Sequence, residues 1–323
     1  MTWTKVLGGA LLALSASCGG SAEPATTQSG PPEQSLAPAL RRLSTAELEA
    51  SATTLLGIDT GLAVALPPDA RQSDYSRNVA QSVDSLLLGQ LFDASRSVSG
   101  AIDLSLPQFP SCARTAAATD AVCAETTVKQ LTRTAFRRAP TGPEIEKLLG
   151  LFTLGAEGAD FKSGIALVVR GLLGSPKFLY ASTLGSGAPG AAPGSSRLSN
   201  DELGSELSLL ISGQPPDEEL LLAAAHGDLE SGAERERQAL RLLQSYRARF
   251  LYRRFVQEWL GLVGLEGLAK SSQVITDFPT LREAMVEETN QFVDDVFSLQ
   301  GGSVSTLLAG GFNIVPAPLA NFY

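Results

Sequence analysis

The chain has 323 residues, with 34 acidic against 25 basic side chains, a single histidine and a formal net charge of −9. So acidic a chain is repelled by nucleic acid and by anionic lipid, and neither is an expected partner. One imidazole also removes Ser-His-Asp triads, multi-histidine zinc sites and axial haem pairs unless His226 itself takes part, and no cofactor is expected.

The first residues carry one positive charge, Lys5, ahead of the apolar run Val6 to Ala16. That run is too short to span a bilayer and reads as a signal peptide. Ser15-Ala-Ser-Cys18-Gly19-Gly20 places small residues up to a cysteine, the pattern that bacterial lipoprotein processing needs. Residues 1–18 are therefore expected to be a lipoprotein signal peptide with lipidation at Cys18. The alternative is ordinary secretion. From residue 19 to 40 the composition shifts to Ser, Ala, Pro, Gln, Thr and Glu, as in a flexible tether. The remainder is long enough for real hydrophobic cores.

Beyond the anchor only Cys112 and Cys123 remain, 11 residues apart. In an exported chain a disulfide is the expected reading. Two metal-binding thiolates would need further soft ligands, and the chain offers one histidine.

Three segments carry a hydroxyl residue followed three places later by Glu: Ser44-Thr-Ala-Glu47, Thr141-Gly-Pro-Glu144 and Ser199-Asn-Asp-Glu202. Each reads as a capping box opening a helix. The first continues through Leu48, Ala52, Leu55 and Leu56 to a stop at Gly57; the third runs through Leu203, Leu207 and Leu210 to Gly213 and Pro215-Pro216. Periodicity predicts further helices over residues 128–138, 161–173, 218–226, 234–243, 248–260 and 280–297. Strand-like alternation is scarce. The Gly/Pro/Ser stretch around Gly185 to Ser196 cannot build a core and marks a linker, residues 185–197. The expected fold is all-α, with helical regions over 41–184 and 198–323 and the disulfide pinning a loop ahead of the 128–138 helix.

Glu283, Glu287, Glu288, Asp294 and Asp295 form the richest acidic cluster, a candidate cation or partner site. On a helical projection they share one side, opposite Leu281, Met285, Val286, Phe292, Val293, Val296 and Phe297, so the wet face of an amphipathic helix is the better account. His226 precedes Gly227 and suits a helix end. Arg137 and Arg138 close a helix, where the dipole favours cations. Trp259 lies four residues from Phe255 and is expected to pack into the core. Tyr246-Arg-Ala-Arg-Phe250-Leu-Tyr-Arg-Arg254 is basic and aromatic, and reads as a solvated rim around a packed helix. No residue is singled out as catalytic and none as a metal ligand.

Longer stretches carry a family resemblance. Arg42-Leu-Ser-Thr-Ala-Glu47, Leu55-Leu-Gly-Ile-Asp59 and Leu66-Pro-Pro-Asp69 resemble the domain of unknown function numbered 1587. Phe136-Arg-Arg-Ala-Pro-Thr141 with Glu144, Gly164-Ile165 and Ser175-Pro-Lys-Phe-Leu-Tyr180 resemble number 1595. Leu198-Ser199, Pro216-Asp-Glu-Glu-Leu220, Gly227-Asp-Leu229, Phe255-Val-Gln-Glu-Trp-Leu260, Met285-Val-Glu-Glu-Thr289 and Phe292 resemble number 1592. The three domains together are similar to large exported proteins of planctomycetes and myxobacteria, often found beside c-type cytochrome modules. The family's Cys-x-x-Cys-His haem-attachment signature is missing here, so the resemblance implies no haem in this chain. The expected role is a non-catalytic, lipid-anchored scaffold or partner-binding protein at the cell envelope, on the outer membrane or in the periplasm. The alternative is a component of a c-type cytochrome-linked redox or degradative system whose active part lies in a companion chain or in further C-terminal domains. The partner would be an envelope protein or a c-type cytochrome. A carbohydrate-binding module is a weaker third reading, since aromatic residues make up only 6% of the chain.

Overall fold

A short antiparallel pair ties the start of the folded chain to its middle: β1 (Leu40–Arg42) lies against β2 (Tyr180–Ser182), Leu40 opposite Ser182 and Arg42 opposite Tyr180. The computed structural model describes residues 39–187, 195–265, 267–298 and 302–323. The predicted signal peptide, Cys18, most of the tether and residues 188–194 of the predicted linker lie outside them.

Among the described residues the rest of the regular structure is helical. The first region carries α1 (Thr45–Leu56), α2 (Leu62–Ala65), α3 (Ser85–Gly100), α4 (Ala121–Phe136), α5 (Gly142–Ala156), α6 (Phe161–Leu173) and α7 (Pro176–Leu179). The second carries α8 (Asn200–Ser212), α9 (Glu218–His226), α10 (Gly232–Leu243), α11 (Tyr246–Trp259), α12 (Phe278–Ser298), α13 (Val304–Ala309) and α14 (Ala317–Phe322). The fold class is all-α.

The three capping boxes all form. Ser44, Thr141 and Ser199 are the caps of α1, α5 and α8, with Glu47, Glu144 and Glu202 reaching back to the cap N–H groups at 2.8, 2.7 and 2.9 Å. Each box satisfies donors that the first helical turn leaves open, at about 1 kcal/mol per cap. Gly57, Gly213 and Gly227 end α1, α8 and α9 in the left-handed conformation, with φ of 74°, 63° and 81°.

Helix α6 is the axis of the larger core. Ile165, Val168, Val169, Leu172 and Leu173 are fully buried against α3, α4 and α5. Burying each such side chain contributes about 1.5 to 3 kcal/mol. The approach of α5 to α6 depends on two glycines. A Cβ on Gly164 would stand 2.6 Å from the Phe152 ring, and one on Gly155 would stand 2.8 Å from the Ser163 carbonyl oxygen. A second, smaller core gathers Ile211, Leu220, Ala223, Ala224, Leu229, Leu242 and Ala248 from α8 to α11. Both cores lie within one compact unit, Ala37–Tyr323.

Cys112 and Cys123 form the predicted disulfide, with their Cα atoms 5.9 Å apart. Cys112 sits in a short 3-10 turn (Ser111–Arg114), and Cys123 lies in the first turn of α4. The helix begins at Ala121, earlier than periodicity suggested, because Asp120 caps it by accepting from the Cys123 N–H at 3.0 Å. The bridge thus joins loop to helix, within a closed loop of 11 residues. Replacing both cysteines by serine is expected to lower the unfolding free energy by about 2 to 4 kcal/mol in a urea titration. Equal midpoints would show that the bridge adds no stability.

Candidate functional site: a buried charged seam beneath an aromatic-walled cleft

The acidic cluster of α12 is less wet than the projection implies. Glu283 is exposed, whereas Glu287, Glu288, Asp294 and Asp295 are half-buried. The reason is that neighbouring elements cover that side. Arg253 of α11 donates from Nε to Asp294 Oδ1 at 2.9 Å, and its Nη2 reaches Asp294 Oδ2. Asn313 bonds Glu288, and the Tyr323 hydroxyl donates to Glu288 at 3.3 Å. Gln291 donates to Glu287 at 2.9 Å. The cluster is therefore divided among separate partners. Among the described residues no group of three His, Cys, Asp or Glu is placed to hold a metal ion. His226 is the last residue of α9, exposed, with Nδ1 3.8 Å from Asp228 Oδ2.

One aromatic expectation, that Trp259 packs into the core, needs correcting. Phe255 and Trp259 do not pack into the core: they are 53% and 43% exposed. They lie at the C-terminal end of α11, where Val256 and Glu258 turn inward instead. Tyr75, Phe255 and Trp259 form a row of near-parallel rings, with centroids 6.0 and 6.3 Å apart and interplanar angles of 24° and 19°. The arginines of the basic and aromatic strip are largely engaged within the chain, Arg247 with Gln214, Arg253 with Asp294 and Arg254 with Glu258.

Tyr75 belongs to a loop that periodicity leaves unread. Between α2 and α3, Gln72 and Tyr75 pair in antiparallel fashion around a two-residue turn, Ser73 and Asp74. Both turn residues have positive φ, 49° and 70°, without being glycine. The loop is braced from within. Asn78 Nδ2 donates to the Ala70 and Tyr75 carbonyls at 2.8 and 2.9 Å, and Gln81 Nε2 donates to the Ala70 and Ser76 carbonyls at 3.0 and 2.7 Å. The bracing presents Tyr75, Ser76 and Arg77 as a finger reaching the second helical region. Tyr75 meets Phe255. The Ser76 hydroxyl donates to Glu258 Oε1 at 2.6 Å, and Arg254 Nη2 donates to that hydroxyl at 3.0 Å. Arg77 stands between Glu47 of α1 at 3.4 Å and Glu206 of α8 at 3.3 Å.

Beneath the finger runs a seam of buried charge. Glu47 takes a two-pronged contact from Arg41, at 2.7 and 3.1 Å, besides its capping duty. Burial alone would push its carboxyl up. Arg41, Arg77 and the Ser44 N–H outweigh that effect and hold it below the ordinary value. Arg137, the left-handed C-cap of α4, is buried. It donates to the Lys177, Phe178 and Tyr180 carbonyls at 3.0, 3.2 and 2.6 Å and to the Ser205 hydroxyl at 3.2 Å. Burial lowers its pKa to about 10, against the pull of Glu47 and Glu206, so it is charged at neutral pH. Beside it Arg138 and Lys177 flank Glu144, and the Arg138 hydrogen bond leads in depressing that carboxyl.

Above the seam opens a cleft of about 710 Å³, whose walls include Glu47, Tyr75, Arg77, Phe250, Phe255 and Glu258. Its floor is a set of charges fixed by one another. Its rim is aromatic. Such a surface suits the holding of a ligand or partner by stacking, with the floor supplying rigidity.

Sequence reasoning finds Glu47 only as a cap and misses Ser76, Arg77, Glu206 and Glu258. The contacts of Arg77 with Glu47 and of Ser76 with Glu258 span 30 and 182 residues, beyond the reach of any local pattern. The one available signal was the Asn78 and Gln81 amides in a short polar loop, which brace backbone carbonyls.

Removing one partner of a buried ion pair strands the other. Glu47→Gln is expected to cost about 3 kcal/mol at neutral pH by urea unfolding. Because the folded pKa of Glu47 is depressed, its contribution is fully present above the unfolded carboxylate value, 4.5, and is lost as the pH falls through the folded value. The gap between wild type and variant therefore narrows in acid, and a gap independent of pH would contradict the pairing. Asp74→Gly relieves the second left-handed position and is expected to raise the thermal midpoint by an amount corresponding to roughly 1 kcal/mol. A lowered midpoint would refute the turn's strain.

Residues 41–103 match the family described as Protein of unknown function (DUF1587), residues 123–182 that described as Protein of unknown function (DUF1595), and residues 198–323 that described as Protein of unknown function (DUF1592). No curated protein and no solved structure matches the chain. The seam lies where the three segments meet: Glu47 and Arg77 come from the first, Arg137 from the second, and Ser205, Glu206 and Glu258 from the third. The chain thus belongs to the family of proteins that carry these three domains in this order.

Proposed function

We infer that the chain is an exported lipoprotein of the cell envelope, anchored through Cys18, that binds a partner through the cleft and performs no chemistry of its own. The observation that carries the binding role is the row of Tyr75, Phe255 and Trp259 at the cleft's edge, half-buried at Tyr75 and exposed at Phe255 and Trp259. Aromatic side chains are over-represented in the buried centres of interfaces, and leaving them in water forgoes the gain of burying them. The disulfide favours an oxidising compartment, and the short apolar run ending in Ser15-Ala-Ser-Cys18 favours export and acylation. The family's setting beside cytochrome modules makes an envelope protein or a c-type cytochrome the partner to try first.

A photoreactive residue placed at Trp259 and activated in intact cells is expected to give one discrete protein adduct, which Phe255→Ser abolishes. The same residue at exposed Val64 is expected to give none. Identical labelling from both positions would remove the binding role. The anchor is read separately, as a mass increase on Cys18 that disappears when lipoprotein signal peptidase is inhibited. An unmodified Cys18 thiol in the mature protein would contradict it.

A further inference from the structure

Among the described residues most arginines are engaged by acids or carbonyls, and two that are not, Arg96 and Arg170, flank one ring on α3. Leu88, Phe92 and Arg96 recur at four-residue spacing along one edge of α3, so they form a strip on its surface. Leu88 and Phe92 are each 52% exposed, and Leu86 at the start of the helix is 61% exposed. The Arg96 guanidinium stands 5.2 Å from the Phe92 ring centroid, and that of Arg170, from the neighbouring α6, stands 5.5 Å from the same centroid. Among the described residues neither guanidinium has a carboxylate within ion-pair distance, although Asp93 is close in sequence. Arg170 Nε is moreover buried from solvent with no hydrogen-bond acceptor.

We propose that Leu88, Phe92, Arg96 and Arg170 form a docking patch for an anionic membrane surface. Leu88 and Phe92 would enter the boundary between headgroups and acyl chains, and the two guanidiniums would hold headgroup phosphates. The composition fits, since interfacial surfaces combine Leu or Phe with Arg or Lys. Guanidinium is also the cation best shaped for phosphate. The net charge of −9 opposes any anionic partner at long range. That objection weakens at close range: charges more than about 8 to 10 Å apart are largely screened at physiological ionic strength, so the local pair decides. The patch would orient the folded unit on the membrane whether or not Cys18 is acylated.

The test uses the full chain carrying Cys18→Ser, so that acylation does not contribute, in co-sedimentation with vesicles of phosphatidylcholine alone or with added phosphatidylglycerol. The expected result is at least about tenfold stronger partitioning onto the anionic vesicles, lost in Arg96→Gln/Arg170→Gln and in high salt. The apolar N-terminal run contributes equally to both proteins, so the difference between them reads the patch. If the double variant fails to fold, Arg96→Glu alone, on the exposed edge, is expected to show the same loss. Equal partitioning on the two vesicle types, or full binding by the folded variant, would overturn the proposal. Displacement by millimolar inorganic phosphate with no preference for anionic vesicles would overturn it too, and would assign the guanidiniums to a free anion.

Discussion

Glu47 and Arg77 meet at a place where burial penalises both, and the rest of the fold is arranged around that meeting. Each charge is costly out of water unless it is paired and hydrogen-bonded. Glu47 therefore accepts from Arg41 and the Ser44 N–H as well, and Arg77 is shared with Glu206 of α8. Arg137, within the electrostatic reach of Glu47 and Glu206, is satisfied by three carbonyls and the Ser205 hydroxyl. These partners come from all three matched segments. None of the segments completes the seam alone, so the geometry of each depends on the presence of the others. The β1–β2 pair reinforces the arrangement by joining the first segment to the end of the second.

What was legible in the sequence was local. The capping boxes at Ser44, Thr141 and Ser199 set three helix starts because a hydroxyl and a carboxylate three residues apart act within one turn. The observed α6 and α9 coincide with the predicted spans, since their apolar positions recur at helical spacing and Asp160, Asp217 and Gly227 mark their ends. Helix α3 was missed although Leu87, Leu91 and Val98 face inward, because serines 95 and 99 share that face and blur its apolar stripe. The Trp259 expectation failed for a related reason: four-residue spacing tells which residues share a face, not whether anything covers that face. The seam was out of reach because its pairs are assembled by tertiary folding.

The cleft and the α3 patch differ in kind. In the cleft the charges are consumed internally, Arg253 by Asp294 and Arg254 by Glu258 and Ser76, and the exposed part is aromatic. On α3 the aromatic ring is itself flanked by cations that find no acid in ion-pair reach among the described residues. In a chain with an excess of nine acids, two adjacent arginines with no acid in reach among the described residues are a local surplus of positive charge. In the cleft, by contrast, charge is balanced and rigidity is the product: the finger of Tyr75, Ser76 and Arg77 is held by side-chain contacts to α1, α8 and α11 and by the amides of Asn78 and Gln81.

The central claim is that the buried seam makes the three segments fold as one cooperative unit. The most direct measurement is equilibrium urea unfolding of Arg77→Met in a Trp3→Phe background, followed at once by Trp259 fluorescence, which reports the third segment, and by far-ultraviolet circular dichroism, which reports all helices. The unaltered seam is expected to give coincident transitions, and Arg77→Met to separate them, the fluorescence change coming at lower urea. Coincident transitions in Arg77→Met, at an undiminished midpoint, would contradict the account.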